Sequence, residues 1–329
     1  MRKIFFVLIT VFFIILLFRL VNVREAIDLI FKANLLLVAL ATIIGVFQTY
    51  IATFRMKILV SIIAKVNIFY FFWMGYLTSL LSTVFPFFVG GFSFALLLSK
   101  KIKTSYPKAF SIVLIDFGFG VVVTLVLAII SILYFGSRRI LKISSAGFGN
   151  IFLIALFVLA ISVMVFLLSH KKKNFVNLFT KIKKGIALFA ESKEILVKAA
   201  LLTFPITFLH FISLYLFFLA YGIKPNFVDF IFATSLLSTL NLIPGAIAKI
   251  GQYETLGVLT LPYLLSLDKN VVFSALLLQH AISLVTIGTL GVISAFYLRS
   301  EFINLRGLKS NLLSKLTSVL RSRSGSEVE

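Results

Sequence analysis

A hydrophobic chain that is interrupted at membrane depth has few folds open to it, and here the same interrupted stretch occurs twice. Thr78-Ser79-Leu80-Leu81-Ser82-Thr83 runs on to Pro86 and the pair Gly90-Gly91, and the identical hexapeptide Thr234-Ser235-Leu236-Leu237-Ser238-Thr239 runs on to Pro244-Gly245. Pro removes a backbone donor and clashes with the preceding turn, so the groups it frees must find partners inside the protein. Paired breaks at matching places in two halves point to the central site of a transporter. Duplication explains the match better than chance, because Phe110-Ser111 with Asp116 is mirrored by Phe273-Ser274 with Gln279 at the same internal spacing.

The surroundings are those of a membrane protein. Of 329 residues, 60% are apolar, mean hydropathy is +1.12, and several apolar runs exceed the length that crosses a bilayer. The runs predict an all-α, polytopic integral membrane protein. Full spans are expected over residues 4–21, 34–54, 109–135, 148–169, 199–221 and 271–298, about six in all. Two broken units, over 68–99 and 228–265, are too short in each arm to cross twice and read as re-entrant hairpins, which makes about eight membrane segments. Residues 1–300 then form one transmembrane domain with halves at about 1–135 and 148–300, and residues 301–329 form a basic cytoplasmic tail. The first run follows Arg2-Lys3 like a signal peptide but has no small-residue cleavage site, so it reads as a retained span.

Charge sets the orientation. The chain carries 32 Lys+Arg against 11 Asp+Glu. With both termini cytoplasmic, most of the basic residues fall in cytoplasmic loops, where they meet anionic phospholipid headgroups. The first hairpin then enters from the cytoplasm and the second from outside, an inverted repeat. Nucleic acid is excluded as a partner, since the basic residues are scattered between spans and one Trp offers little stacking. Residues 170–198 hold eight lysines and apolar residues at three- and four-residue steps, as in a helix lying on a membrane surface. With no cysteine, disulfides and thiolate chemistry are excluded.

Ionisable residues inside a bilayer are expensive and face an interior or a watery cavity. Asp116 reads equally as a helix-to-helix hydrogen-bonding group or as part of a site. Lys249 and Glu254, just past the second break, read as an ion pair or as headgroup contacts, with function favoured. His210 reads as a satisfied buried histidine, and Arg19 as a side chain reaching the interface. No phosphate-cradling loop, His-Glu-x-x-His or Gly-x-Ser-x-Gly elbow is present. The expectation is a protein without catalytic residues, cofactor or metal.

Several short elements resemble the flippase-like transmembrane domain of lysylphosphatidylglycerol synthases. Phe54-Arg55-Met56-Lys57-Ile58-Leu59 is similar to the family's Leu-Arg-Trp-Arg-Leu-Leu element. Pro86 and Gly90 match its Pro and Gly-Glu, with Gly91 at the Glu position; residues 111–117 resemble Ser-Val-x-x-Asp/Glu-Arg, with Asp116 kept and Phe117 in place of Arg. Gly251-Gln252-Tyr253-Glu254 is similar to the Gly-x-x-Glu that ends a Pro-Gly-Gly-x-Gly-x-x-Glu element, with Ala248-Lys249 where its paired glycines stand. The resemblance implies a lipid translocase for an aminoacylated or glycosylated phospholipid in a bacterial or archaeal cell membrane. It implies no aminoacyl transfer, since the soluble synthase half is not in this chain. The alternative is a membrane subunit or enzyme of lipid-linked glycosyl or aminoacyl transfer. The expected substrate-binding residues are Glu254, Lys249, Asp116, Arg55, Gln279, His280, Pro86, Gly90, Pro244, Gly245 and Gly251. A cytoplasmic transferase and a second copy of the chain are the expected protein partners.

Overall fold

The computed structural model describes residues 2–84, 88–143, 186–187, 189, 192–242 and 246–298. Among them every regular element is helical: α1 (Arg2–Leu20), α2 (Val23–Ile30), α3 (Leu35–Val60), α4 (Ile68–Val84), α5 (Phe88–Lys101), α6 (Tyr106–Ile143, kinked at Gly136), α7 (Lys193–Leu219), α8 (Phe227–Leu240), α9 (Gln252–Leu265) and α10 (Lys269–Tyr297), with a 3-10 turn at Ile247–Lys249. Four of them, α3, α6, α7 and α10, are long and apolar enough to cross a membrane. Large apolar side chains such as Leu35, Leu133, Val285 and Phe296 are exposed on their outer faces, as a lipid-facing surface requires. The expected span at 148–169 and most of the basic segment 170–198 lie outside the described residues, as do Pro86, Pro244 and Gly245.

The arms flanking the two breaks are short. α4 has 17 residues and α5, α8 and α9 have 14 each. At about 1.5 Å per residue they reach roughly 21–26 Å, less than the roughly 30 Å of hydrocarbon. Both hexapeptides lie in the last turns of their helices, α4 ending at Val84 and α8 at Leu240. Their hydroxyls behave alike: Thr78 donates to the Met74 carbonyl at 2.9 Å and Thr234 to that of Phe230 at 2.6 Å, while Thr83 and Thr239 each donate back to the serine four residues earlier.

Two clusters of buried side chains show which way each hairpin enters. One gathers the end of α3, the start of α4, the end of α5, the starts of α6 and α7, and Leu298. The other gathers the ends of α1, α7 and α9, α2, and the starts of α8 and α10. The open end of the first hairpin thus sits in one cluster and that of the second in the other. Between them α3 and α7 run antiparallel: Asn34 N–H donates to the Ala220 carbonyl at 2.9 Å, Ser213 Oγ to that of Ala41 at 2.9 Å, and Arg55 Nη1 to Thr203 Oγ1 at 3.0 Å.

The pairing of the outer helices repeats as well. α4 packs on α10 and α8 packs on α6. Trp73, five residues before the first hexapeptide, meets Tyr297 at 5.5 Å between ring centroids. Asp229, five residues before the second, accepts a 2.6 Å hydrogen bond from Tyr134. Tyr134 and Tyr297 each lie eighteen residues past the matched pair Asp116 and Gln279. Equivalent sequence positions therefore make equivalent contacts, on helices that run in opposite directions.

The two ends differ in charge. At the α3–α4 end, Lys57, Lys65, Lys100, Lys101, Lys103, Lys108, Lys193 and Lys198 are met among the described residues by one acid, Glu194. Toward the opposite end, Arg19, Arg24, Lys32, Lys224 and Lys269, with Arg138, Arg139 and Lys142 in the last residues of α6, are joined by four acids, Glu25, Asp28, Asp229 and Asp268.

Glycine sets how closely the first hairpin closes. A Cβ on Gly90 would lie 1.7 Å from Ser82 Oγ and 2.7 Å from the Thr78 carbonyl oxygen, whereas one on Gly91 meets nothing. Gly90→Ala should therefore destabilise the protein by about 1–3 kcal/mol through overpacking. Gly91→Ala should leave the thermal midpoint in detergent unchanged or raised, because it only improves helix propensity.

Candidate functional site

The second break exposes backbone groups that a continuous helix would have paired. Four side chains take them up. Lys249 Nζ donates to the Asn241 carbonyl at 2.8 Å, and Gln252 Oε1 accepts from Ala246 N–H at 2.8 Å. Glu254 Oε2 accepts from Gly251 N–H at 2.9 Å, the reach of a residue at the third helical position back to its cap. His280 Nε2 lies 3.1 Å from the Ala248 carbonyl oxygen, and its Nδ1 lies 2.5 Å from Glu254 Oε1. A carbonyl only accepts, so Nε2 is the donor in the contact with Ala248. The cluster is covered by α1: Thr255 Oγ1 donates to the Phe13 carbonyl at 3.1 Å, and a Cβ on Gly251 would come within 3.2 Å of the Ile14 nitrogen.

Among the described residues Lys249 and Glu254 form no ion pair with each other. Glu254 is buried and engaged by His280 and the Gly251 amide, and Lys249 reaches a carbonyl. Both follow from one demand: backbone groups freed in a low-dielectric interior cost more unpaired than side-chain ordering does. Gln279, next to His280, makes no hydrogen bond among the described residues.

Ala248 and Lys249 also have φ of 51° and 59°, and Gly251 has 77°. The left-handed conformation explains why glycine suits the first two positions, since an L side chain there costs about 1–2 kcal/mol.

Arg55 and Asp116 meet elsewhere. Arg55 Nε donates to Asp116 Oδ1 at 2.8 Å, joining α3 to α6, while Nη1 holds Thr203 of α7. The pair forms one wall of a cavity of about 450 Å³. Thr78, Ser79 and Ser82 of α4, Gly90 and Gly91 of α5, and Gly120 and Thr124 of α6 line the rest together with apolar Met56, Phe94, Val113, Phe117 and Val121, and Leu242 arrives from the second break. The hydroxyl proton of Thr78 goes to a carbonyl of its own helix, so the cavity meets its oxygen as an acceptor. The structure thus brings Arg55, Asp116 and Gly90 together and gathers Lys249, Gly251, Glu254 and His280 into a separate cluster. Thr203 and the hexapeptide hydroxyls escaped the list of site residues, although the repetition of those hydroxyls in two interrupted stretches was the signal for them. One acceptor near the second break, Asn241 Oδ1, is buried with no partner among the described residues.

Removing one member of a buried pair strands the other. Asp116→Leu should therefore cost about 3–5 kcal/mol, whereas the double variant Arg55→Met/Asp116→Leu should recover most of that loss. Ala248→Gly should stabilise by about 0.5–1 kcal/mol, the relief of left-handed strain less the extra freedom of the unfolded chain. Thermal unfolding of each purified variant in one detergent checks both.

No curated protein and no solved structure matches this chain. A family model does, and it spans nearly all of the fold described above: residues 3–302 match the lysylphosphatidylglycerol synthase TM region. The repeated interrupted helices, the Arg55–Asp116 pair and the Gly251–Glu254 cap all lie inside that match, and the chain belongs to the family of the lysylphosphatidylglycerol synthase transmembrane region.

Proposed function

We propose that this membrane protein moves a polar-headgroup phospholipid, aminoacylated or glycosylated, between the two leaflets. The headgroup passes through the cavity between the broken hairpins while the acyl chains stay in the surrounding hydrocarbon. The observation that carries the reading is the cavity of about 450 Å³, walled by the Arg55–Asp116 pair and by residues flanking both breaks. Its chemistry suits such a group: Asp116 and the hydroxyl oxygens take ammonium or sugar donors, and Arg55 takes phosphate. Hairpins that enter from opposite ends give the two access states similar architecture, as alternating access requires.

By the positive-inside rule the lysine-rich end faces the cytoplasm of a bacterial or archaeal cell membrane. The reading asks for no bond-making by the chain itself. Aminoacyl or glycosyl transfer falls to a separate soluble enzyme, for which the basic segment 170–198 is the proposed meeting place.

The test is leaflet transfer by the full chain in liposomes, with lysyl-phosphatidylglycerol, phosphatidylglycerol and a glycosylated lipid each offered in one leaflet. Transfer of at least one should exceed that in protein-free vesicles, and Asp116→Asn should slow it by about 10–100-fold, the loss of a charged hydrogen bond. Transfer of none of the three by well-folded protein would overturn the proposal.

A further inference from the structure

A second cavity lies at the lysine-rich end and shares no residue with the one between the hairpins. It measures about 390 Å³ and is lined by Lys65 and Asn67 of the α3–α4 loop, Tyr70 of α4, Lys101 of α5, and Tyr297 and Leu298 at the end of α10. The volume is at the small end for a ligand site, enough for a headgroup and too little for a whole lipid.

Its polar side chains offer donors. Lys65 and Lys101 bring ammonium groups, and Lys101 Nζ is held 4.5 Å from the Tyr70 ring centroid by a cation–π contact. The Asn67 side-chain oxygen accepts the Phe69 N–H at 3.0 Å, so its amide group has two N–H donors left to give. Among the described residues no carboxylate lines the cavity, and Glu194, the acid described at this end, is engaged by Lys198. Lys100 and Lys103 flank Lys101 in the chain and add to the positive field. The exposed ring of Tyr297 belongs at the membrane interface, where tyrosine and tryptophan concentrate.

We propose that this cleft is a binding site for a phosphate-bearing anion, taken from a phospholipid headgroup in the lysine-rich leaflet or from a soluble phosphate ester, and held between Lys65, Lys101 and Asn67. The site is peripheral to the transport cavity and stands whether or not the chain moves lipid.

The chain carries its own reporter. Trp73 is the single tryptophan, and its ring lies tilted against that of Tyr297, which lines the cleft, at 5.5 Å between centroids. Purified full-length protein in a neutral detergent is titrated with dihexanoyl-phosphatidylglycerol, with dihexanoyl-phosphatidylcholine and with inorganic phosphate, and Trp73 fluorescence is followed. Native mass spectrometry of the same mixtures counts bound ligand independently of the fluorophore. A saturable response to phosphatidylglycerol that far exceeds that to phosphatidylcholine is expected. The double variant Lys65→Gln/Lys101→Gln should weaken it roughly 30-fold, the loss of two lysine contacts. Lys65→Arg/Lys101→Arg should restore most of it, and Lys198→Gln, outside the cleft, should change nothing. Displacement of the lipid by inorganic phosphate supports a soluble phosphate as an occupant, and failure of phosphate to displace it supports the headgroup. Equal binding of the two lipids, or equal binding by the wild type and the Gln double variant, overturns the proposal.

Discussion

An interrupted helix inside hydrocarbon cannot leave its end groups bare, and much of this structure is a response to that constraint. Around the second break, side chains meet four of the described backbone groups. Lys249 serves Asn241, Gln252 serves Ala246, Glu254 serves Gly251 and His280 serves Ala248. In water such contacts would be worth little, because solvent competes for both partners; inside a dry interior the alternative is an unpaired group. Polar residues that the sequence offers as a binding site, Lys249, Glu254 and His280, thus also meet the irregular backbone here.

That support frees other groups to meet the cavity. Once the second break is satisfied internally, Leu242 can approach α4 and α5, where Gly90 lets the first hairpin close. The Arg55–Asp116 pair spans from α3 to α6 at that meeting place, and Thr203 draws α7 into the same network. A buried pair of this kind contributes little net stability against an apolar substitute. It joins α3 to α6 and sets both signs of charge beside the cavity, each partner neutralising the other.

Antiparallel contact between α3 and α7 turns the duplication into an inverted pair. Equivalent residues in the two halves make matched contacts with opposite ends of the molecule, as Trp73 with Tyr297 and Asp229 with Tyr134 illustrate. The chemistry at the matched points has diverged: one is a ring pair and the other a hydrogen bond. The two halves therefore keep the same skeleton with different side-chain detail, and the lysine-rich end adds a polar cleft with no counterpart in the contacts described at the other end.

Much of the fold was legible in the sequence because it depends on local pattern. Apolar runs set the long helices, and Pro and Gly marked where helices stop. The repeated hexapeptide, with Phe110-Ser111 and Phe273-Ser274, announced two equivalent units, while the lysine distribution announced two unlike ends. The family was readable from short elements around Arg55, Asp116 and Glu254. The partners of these residues were not, because contacts across many residues are set by packing and leave no periodic trace. Sequence proximity suggested Lys249 for Glu254; the tertiary structure chose His280, on a different helix, and gave Lys249 a carbonyl. Pattern alone marked two places where apolar helices stop, after Val84 and after Leu240. Only the folded chain decided which groups heal the breaks and which are left to line a cavity, because that depends on which helix faces lie within hydrogen-bonding reach.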